Sequence, residues 1–180
     1  RVNNEKVKTE EVVCPLFLRE ANNRWYLLYL HTINMDSINT WLSEGDWESI
    51  FDCCMIAPLD QIIDIEKSVL KQPKSYSSIG KKFFINVAGV QRPRTDAGII
   101  AEEVWFKVDN QSINTAFLIK RLNREKLFPN LKLEKQEEDY NYYSSSFFLT
   151  DDAINKIMSY QPSLIIEKGD NLKEKLTLRL

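Results

Sequence analysis

The sequence predicts an α+β protein in two parts, a small antiparallel sheet or barrel followed by a β-α-β-β-α-β unit. Three observations predict it. Residues 12–65 hold short apolar runs rich in β-branched and aromatic side chains, set on short polar links with few helix signals. The texture then changes at "KQPKSYSSIG", residues 71–80, which carries proline, glycine and three serines. Beyond residue 100, strand and helix periodicities follow one another in the order of a split βαβ unit.

In chain order, residues 12–18 form the first strand, and Pro15 marks an edge or a bend. "EANN" turns the chain, and residues 25–32 form the second strand. Residues 34–47 are polar with scattered apolar groups and read as a connecting excursion. Residues 51–56 form a third strand, and 59–65, with "IIDI", a fourth. Residues 71–80 read as a linker, 81–87 as a short apolar element and 89–98 as irregular chain. "IAEEVWFKV" is a strand. Residues 112–122 form a helix, with Ser112 as its N-cap and Ile113, Ala116, Phe117 and Leu118 near helical spacing. Residues 131–136 and 141–149 are strands separated by an acidic turn. "TDDAINKIMSY" has Thr150 as N-cap, acids in the first turn and apolar Ala153, Ile154, Ile157 and Met158. Residues 164–167 form the last strand and 170–176 a last short helix.

Composition narrows the function classes. Of 180 residues, 43% are hydrophobic and 28% charged, which describes a globular, soluble chain. No apolar run reaches the roughly 20 residues that span a bilayer, so no membrane partner is expected. A net charge of -2 makes wrapping of duplex DNA by this chain alone a poor expectation. Cys14, Cys53 and Cys54 are odd in number and lack metal-ligand spacing, which fits reduced thiols in a cytoplasm. The chain opens on Arg1, so a longer parent is expected.

Catalytic constellations are absent from the sequence pattern. There is no glycine-rich phosphate loop and no nucleophile elbow. Any catalytic pair with histidine would need His31, the one histidine of the chain. Asp151 and Asp152 read most simply as groups complementing a helix dipole. No enzyme activity, cofactor or metal is expected. Four cations in "KRLNREK" and the pair in "QRPR" either solvate exposed ends or face phosphates, with Arg92, Arg94, Arg121 and Arg124 the nucleic-acid candidates. The five aromatics of "YNYYSSSFF" either stack bases or fill a core.

One strand breaks the usual alternation. In "RWYLLYLH", Trp25, Leu27, Tyr29 and His31 share one face, while Arg24, Tyr26, Leu28 and Leu30 share the other. Such a strand is covered on both sides or lines a pocket on one, and the first reading makes Trp25 a core residue.

Trp25-Tyr26-Leu27 after a polar turn, preceded by the proline-bearing "VVCPLFLREANN", resembles the WYL domain. Leu59-Asp60-Gln61-Ile62 is similar to that family's Leu-Asp-Arg-Ile segment. Gly89-Val90 after "KKFFINVA" resembles the junction to the C-terminal extension of WYL regulators, and "TDDAINKIMSYQPSLIIEKGDNLKEKL" that extension's closing elements. The resemblance implies a small Sm-like, SH3-type β-barrel at residues 1–68, a linker and short connecting element at 69–99, and a ferredoxin-like α+β domain at 100–180. It also implies the ligand-sensing and dimerisation portion of a bacterial, cytoplasmic transcriptional regulator. The ligand would be a nucleotide or short single-stranded nucleic acid, and the chain a homodimer. Duplex DNA would be reached only through a winged helix-turn-helix outside this sequence. Tyr26 and His31 are the expected pocket contacts, with Arg24, Asp60 and Gln61 at the rim. Met55, Ala57, Pro58 and Gln61 stand where the family carries arginines and a phenylalanine, so a diverged ligand is expected. The rival reading is a purely structural dimerisation module without a ligand.

Overall fold

A computed structural model describes residues 10–21, 23–69, 71–93, 100–111, 113–125 and 127–179. The chain divides into two compact units, Arg1–Gly80 and Lys81–Leu180. Their architecture is α+β, built on two antiparallel sheets.

The first unit holds β1 (Val13–Ala21), β2 (Arg24–His31), α1 (Met35–Glu44), α2 (Trp47–Asp52) and β3 (Cys54–Pro58). The sheet order is β1-β2-β3, so β2 is central and Pro15 sits on an edge strand, where a missing N–H is tolerated. The register slips between Pro15 and Phe17, leaving Leu16 as a bulge. One face is core: Leu28 and Leu30 are buried, as are Cys14, Ile38, Ile50, Phe51, Tyr76 and Ile79.

Several expectations for this unit are corrected. Residues 34–47 are helical rather than a connecting excursion. Ile38, Trp41 and Leu42 supply the inward stripe, although polar neighbours dilute it in the sequence. Gly45, at φ 74°, ends α1, and the Asp46 carboxylate caps α2 by accepting from the Ser49 amide at 3.2 Å. The third strand starts later than expected, at Cys54, because α2 takes Phe51. Residues 59–65 form no strand; a 3-10 turn spans Leu59–Gln61, and Ile63 and Ile65 are 74% and 75% exposed. The Asp64 carboxylate accepts from the Ile65 amide at 2.8 Å, a local bond that competes with a sheet ladder. With three strands, the sheet does not close among the described residues. Trp25 is 49% exposed rather than core. The stretch read as a linker, 71–80, contains a helical turn at Lys74–Tyr76 and most of α3 (Ser77–Phe83). Tyr76 is buried there, and its hydroxyl donates to the Met35 carbonyl and Asn39 Oδ1, each at 3.2 Å.

The second unit follows the expected order: β4 (Glu102–Asp109), α4 (Ile113–Glu125), β5 (Lys132–Gln136), β6 (Tyr140–Phe147), α5 (Asp151–Met158), β7 (Leu164–Lys168) and α6 (Asp170–Thr177). The sheet order is β5-β6-β4-β7, with every neighbouring pair antiparallel. Val104, Phe106 and Val108 alternate inward from β4 onto a core shared with Leu118, Leu122, Phe128, Tyr143, Phe147, Ile154 and Ile157. The Phe106 ring lies 5.5 Å from Phe128 and 5.7 Å from Tyr143. Thr150 caps α5, its hydroxyl accepting from the Ala153 amide at 3.3 Å. The Glu102 carboxylate accepts from the Asn171 and Leu172 amides at the start of α6, both at 3.2 Å. Ser112, expected as the N-cap of α4, lies outside the described residues.

Candidate functional site

The hairpin end of the first sheet gathers the polar groups of β2. A two-residue connection sets Ala21 opposite Arg24, Glu20 opposite Trp25 and Arg19 opposite Tyr26. Directly opposed residues share a face, so Arg19, Arg24 and Tyr26 stand together. On the other side of β2, Tyr26 is paired with Pro58, which delivers the turn at Leu59–Gln61. The Arg24 guanidinium then donates to Asp60 through Nε, at 3.0 Å to both carboxylate oxygens, and through Nη2 at 2.7 Å. It also lies 5.8 Å from the Tyr26 ring centroid.

These contacts set the electrostatics. The hydrogen bond from Arg24 holds the Asp60 carboxyl below its ordinary value, and the same bond raises Arg24. Burial lowers Arg19, which is half-buried beside Tyr26. The corner offers a tyrosine ring beside the Arg24 guanidinium, with Arg19 at the opposed strand position, which suits an aromatic ligand that carries an anion. Arg19 was missed in the sequence, although counting back from a two-residue "NN" turn places it opposite Tyr26.

The other expected residues are placed differently. Gln61 is exposed at the end of the 3-10 turn. His31 lies at the far end of β2, opposite Val13, on the face that Tyr26 does not share. Its Nε2 is 3.6 Å from Glu11 Oε2, and its ring meets Tyr29 edge-on at 5.6 Å. The structure therefore brings Tyr26, Arg24 and Asp60 together and sets His31 apart. A small cleft of about 60 Å³, lined by Val12, Cys14, Thr32, Met35 and Lys71 among others, contains none of these residues.

In the second unit, Arg92 donates to the Phe83 carbonyl at 3.1 Å and lies over the rings of Phe83 and Phe148. Arg121 donates to the Tyr160 hydroxyl at 2.7 Å and lies over Phe117 and Tyr160. Both guanidinium groups are engaged in internal contacts. Arg124 is exposed on α4, and Arg94 lies outside the described residues. Asp152, read as a dipole-complementing group, also accepts from the Val90 and Gln91 amides at 3.1 and 3.3 Å.

Among the described residues, no group of three or more His, Cys, Asp or Glu side chains is arranged to hold a metal ion, and no helix is long and apolar enough to cross a membrane. No family model, curated protein or solved structure matches the chain.

Proposed function

We propose that this chain is the ligand-sensing and dimerisation portion of a WYL-type transcriptional regulator of the bacterial cytoplasm. The first unit is the Sm-like part of that reading and the second its ferredoxin-like extension, a topology that the β5-β6-β4-β7 order supports. The observation that carries the proposal is the Arg24–Asp60 clasp. It joins two of the four segments on which the resemblance rests, those of Arg24-Trp25-Tyr26-Leu27 and Leu59-Asp60-Gln61-Ile62. The ligand is a nucleotide or short single-stranded nucleic acid, with a base against Tyr26 and a phosphate taken by Arg19 and Arg24.

A thermal-shift panel of nucleotides, cyclic dinucleotides and short oligonucleotides at low salt tests this. A ligand at about 100 times its dissociation constant raises stability by about 2.7 kcal/mol. Tyr26→Ala removes that shift while the unliganded chain keeps its fold, since Tyr26 is only half-buried. A flat panel, or loss of folding in the variant, sinks the assignment. The outward Leu18, Trp25 and Met55 favour a second reading, a dimerisation module without a ligand. A dimeric mass that Leu18→Ser abolishes, together with a flat panel, would select it.

A further inference from the structure

The open face of the four-stranded sheet carries a pattern of its own. Opposed residues share a face, so β4 and β6, the two central strands, set Trp105 and Lys107 beside Tyr140 and Tyr142, all four half-buried. Lys132 and Lys135 of β5 flank them on one side, and Ile165 and Lys168 of β7 on the other. The opposite face is the apolar core. Tyr140 and Tyr142 are two strand positions apart, about 6.7 Å along the chain. Their ring centroids are 6.4 Å apart with planes inclined at 60°. Lys107 Nζ lies 5.0 Å from the Tyr140 ring centroid and Lys135 Nζ 5.9 Å from that of Tyr142.

We propose that this face binds single-stranded nucleic acid by stacking bases on Tyr140, Tyr142 and Trp105. A four-stranded sheet with aromatics on its central strands can hold two or three unstacked bases. The neighbouring charges decide what kind of ligand fits. Lys107 is paired with Glu167 at 2.7 Å, Lys168 with Glu103 at 2.9 Å, and Lys135 with Glu137. A protein interface depletes charge from its buried centre, whereas here lysines stand beside the aromatic rings at the centre of the sheet. Exposed ion pairs are weak, so a phosphate can displace a glutamate at Lys135 or Lys168. Because the acids offset most of the positive field, stacking supplies the affinity and phosphates contribute little. The inference does not depend on the ligand site proposed above, which lies in the other unit.

The test is fluorescence anisotropy of the whole chain with labelled oligo-dT and oligo-U of about eight nucleotides. Binding is expected with a shallow salt dependence, a log-log slope near about -1.4, equivalent to about two phosphates. Tyr142→Ala and Trp105→Ala should each weaken binding about tenfold, while Tyr142→Phe keeps it. Cross-linking of a photoreactive oligonucleotide should map to residues 140–142, and this readout needs no variant to fold. Cross-links at residues 140–142, as distinct from any at Tyr26, separate this site from the one in the first unit. No binding by the wild-type chain, cross-links confined to another surface, or full affinity in a folded Tyr142→Ala protein would overturn the proposal.

Discussion

The three-stranded sheet of the first unit turns Leu18, Trp25 and Met55 outward, whereas the four-stranded sheet of the second sets its outer aromatics, Trp105, Tyr140 and Tyr142, among lysines paired with glutamates. Each buries its other face. In the second unit the alternation of Val104, Phe106 and Val108 with Glu103, Trp105 and Lys107 marks which side is core. In the first, β2 is apolar on both faces, and alternation cannot separate Leu28, which is buried, from Trp25, which is half exposed. Periodicity therefore reports burial only where the outer face is polar.

Substitutions can break or sharpen this contrast. The largest effect is expected for Phe106→Ala, which removes a buried ring packed on Phe128 and Tyr143 and should cost about 3–5 kcal/mol in denaturant unfolding. Next is Gly89→Ala, whose added methyl would stand 2.7 Å from Asp152 Cγ. Displacing that carboxylate from the Val90 and Gln91 amides should cost about 1–3 kcal/mol. Thr150→Ala, which removes the α5 cap, should cost about 1 kcal/mol by the same measurement. Trp25→Ser should be smaller than the Phe106 change by several-fold. An equal loss would mean that the outer face of β2 is packed, and the contrast between the sheets would fail.

The smallest effect is electrostatic. Arg24 holds Asp60 below the ordinary 3.8, and Lys168 holds Glu103 below the ordinary 4.5. A carboxyl depressed by folding stabilises the native state above its unfolded value and loses that contribution as pH falls through its lower folded value. The stability gap between wild type and Asp60→Asn should therefore be constant above about pH 5 and close in acid. Glu103→Gln should behave alike in the second unit. Chemical denaturation across pH checks both, and a gap that widens in acid would reverse the assignment.

What the sequence revealed follows the range of the interactions. The Thr150 cap, the Pro15 edge and the β-α-β-β-α-β order depend on neighbours within a few residues, and all three are present. Helix α1 was missed because Ile38, Trp41 and Leu42 are spread among polar residues, and the apolar run at 59–65 was overvalued because propensity without a partner strand makes no ladder. In the candidate site, Arg24 and Tyr26 were legible as neighbours on one strand. The bond from Arg24 to Asp60 spans 36 residues and follows from the β2–β3 pairing, which no local pattern encodes.

The hold of Asp152 on Val90 and Gln91 spans 62 and 61 residues. During synthesis, residues 84–91 emerge long before the start of α5 that anchors them, so their docking waits on late chain. Phe84, Val87 and Ala88 are all buried in the finished protein. The Phe148 amide donates to the Asn86 carbonyl at 2.8 Å and closes the same segment from the end of β6. The segment therefore gains these anchors only once the chain has reached residue 152, and a nascent chain stalled before residue 148 lacks them.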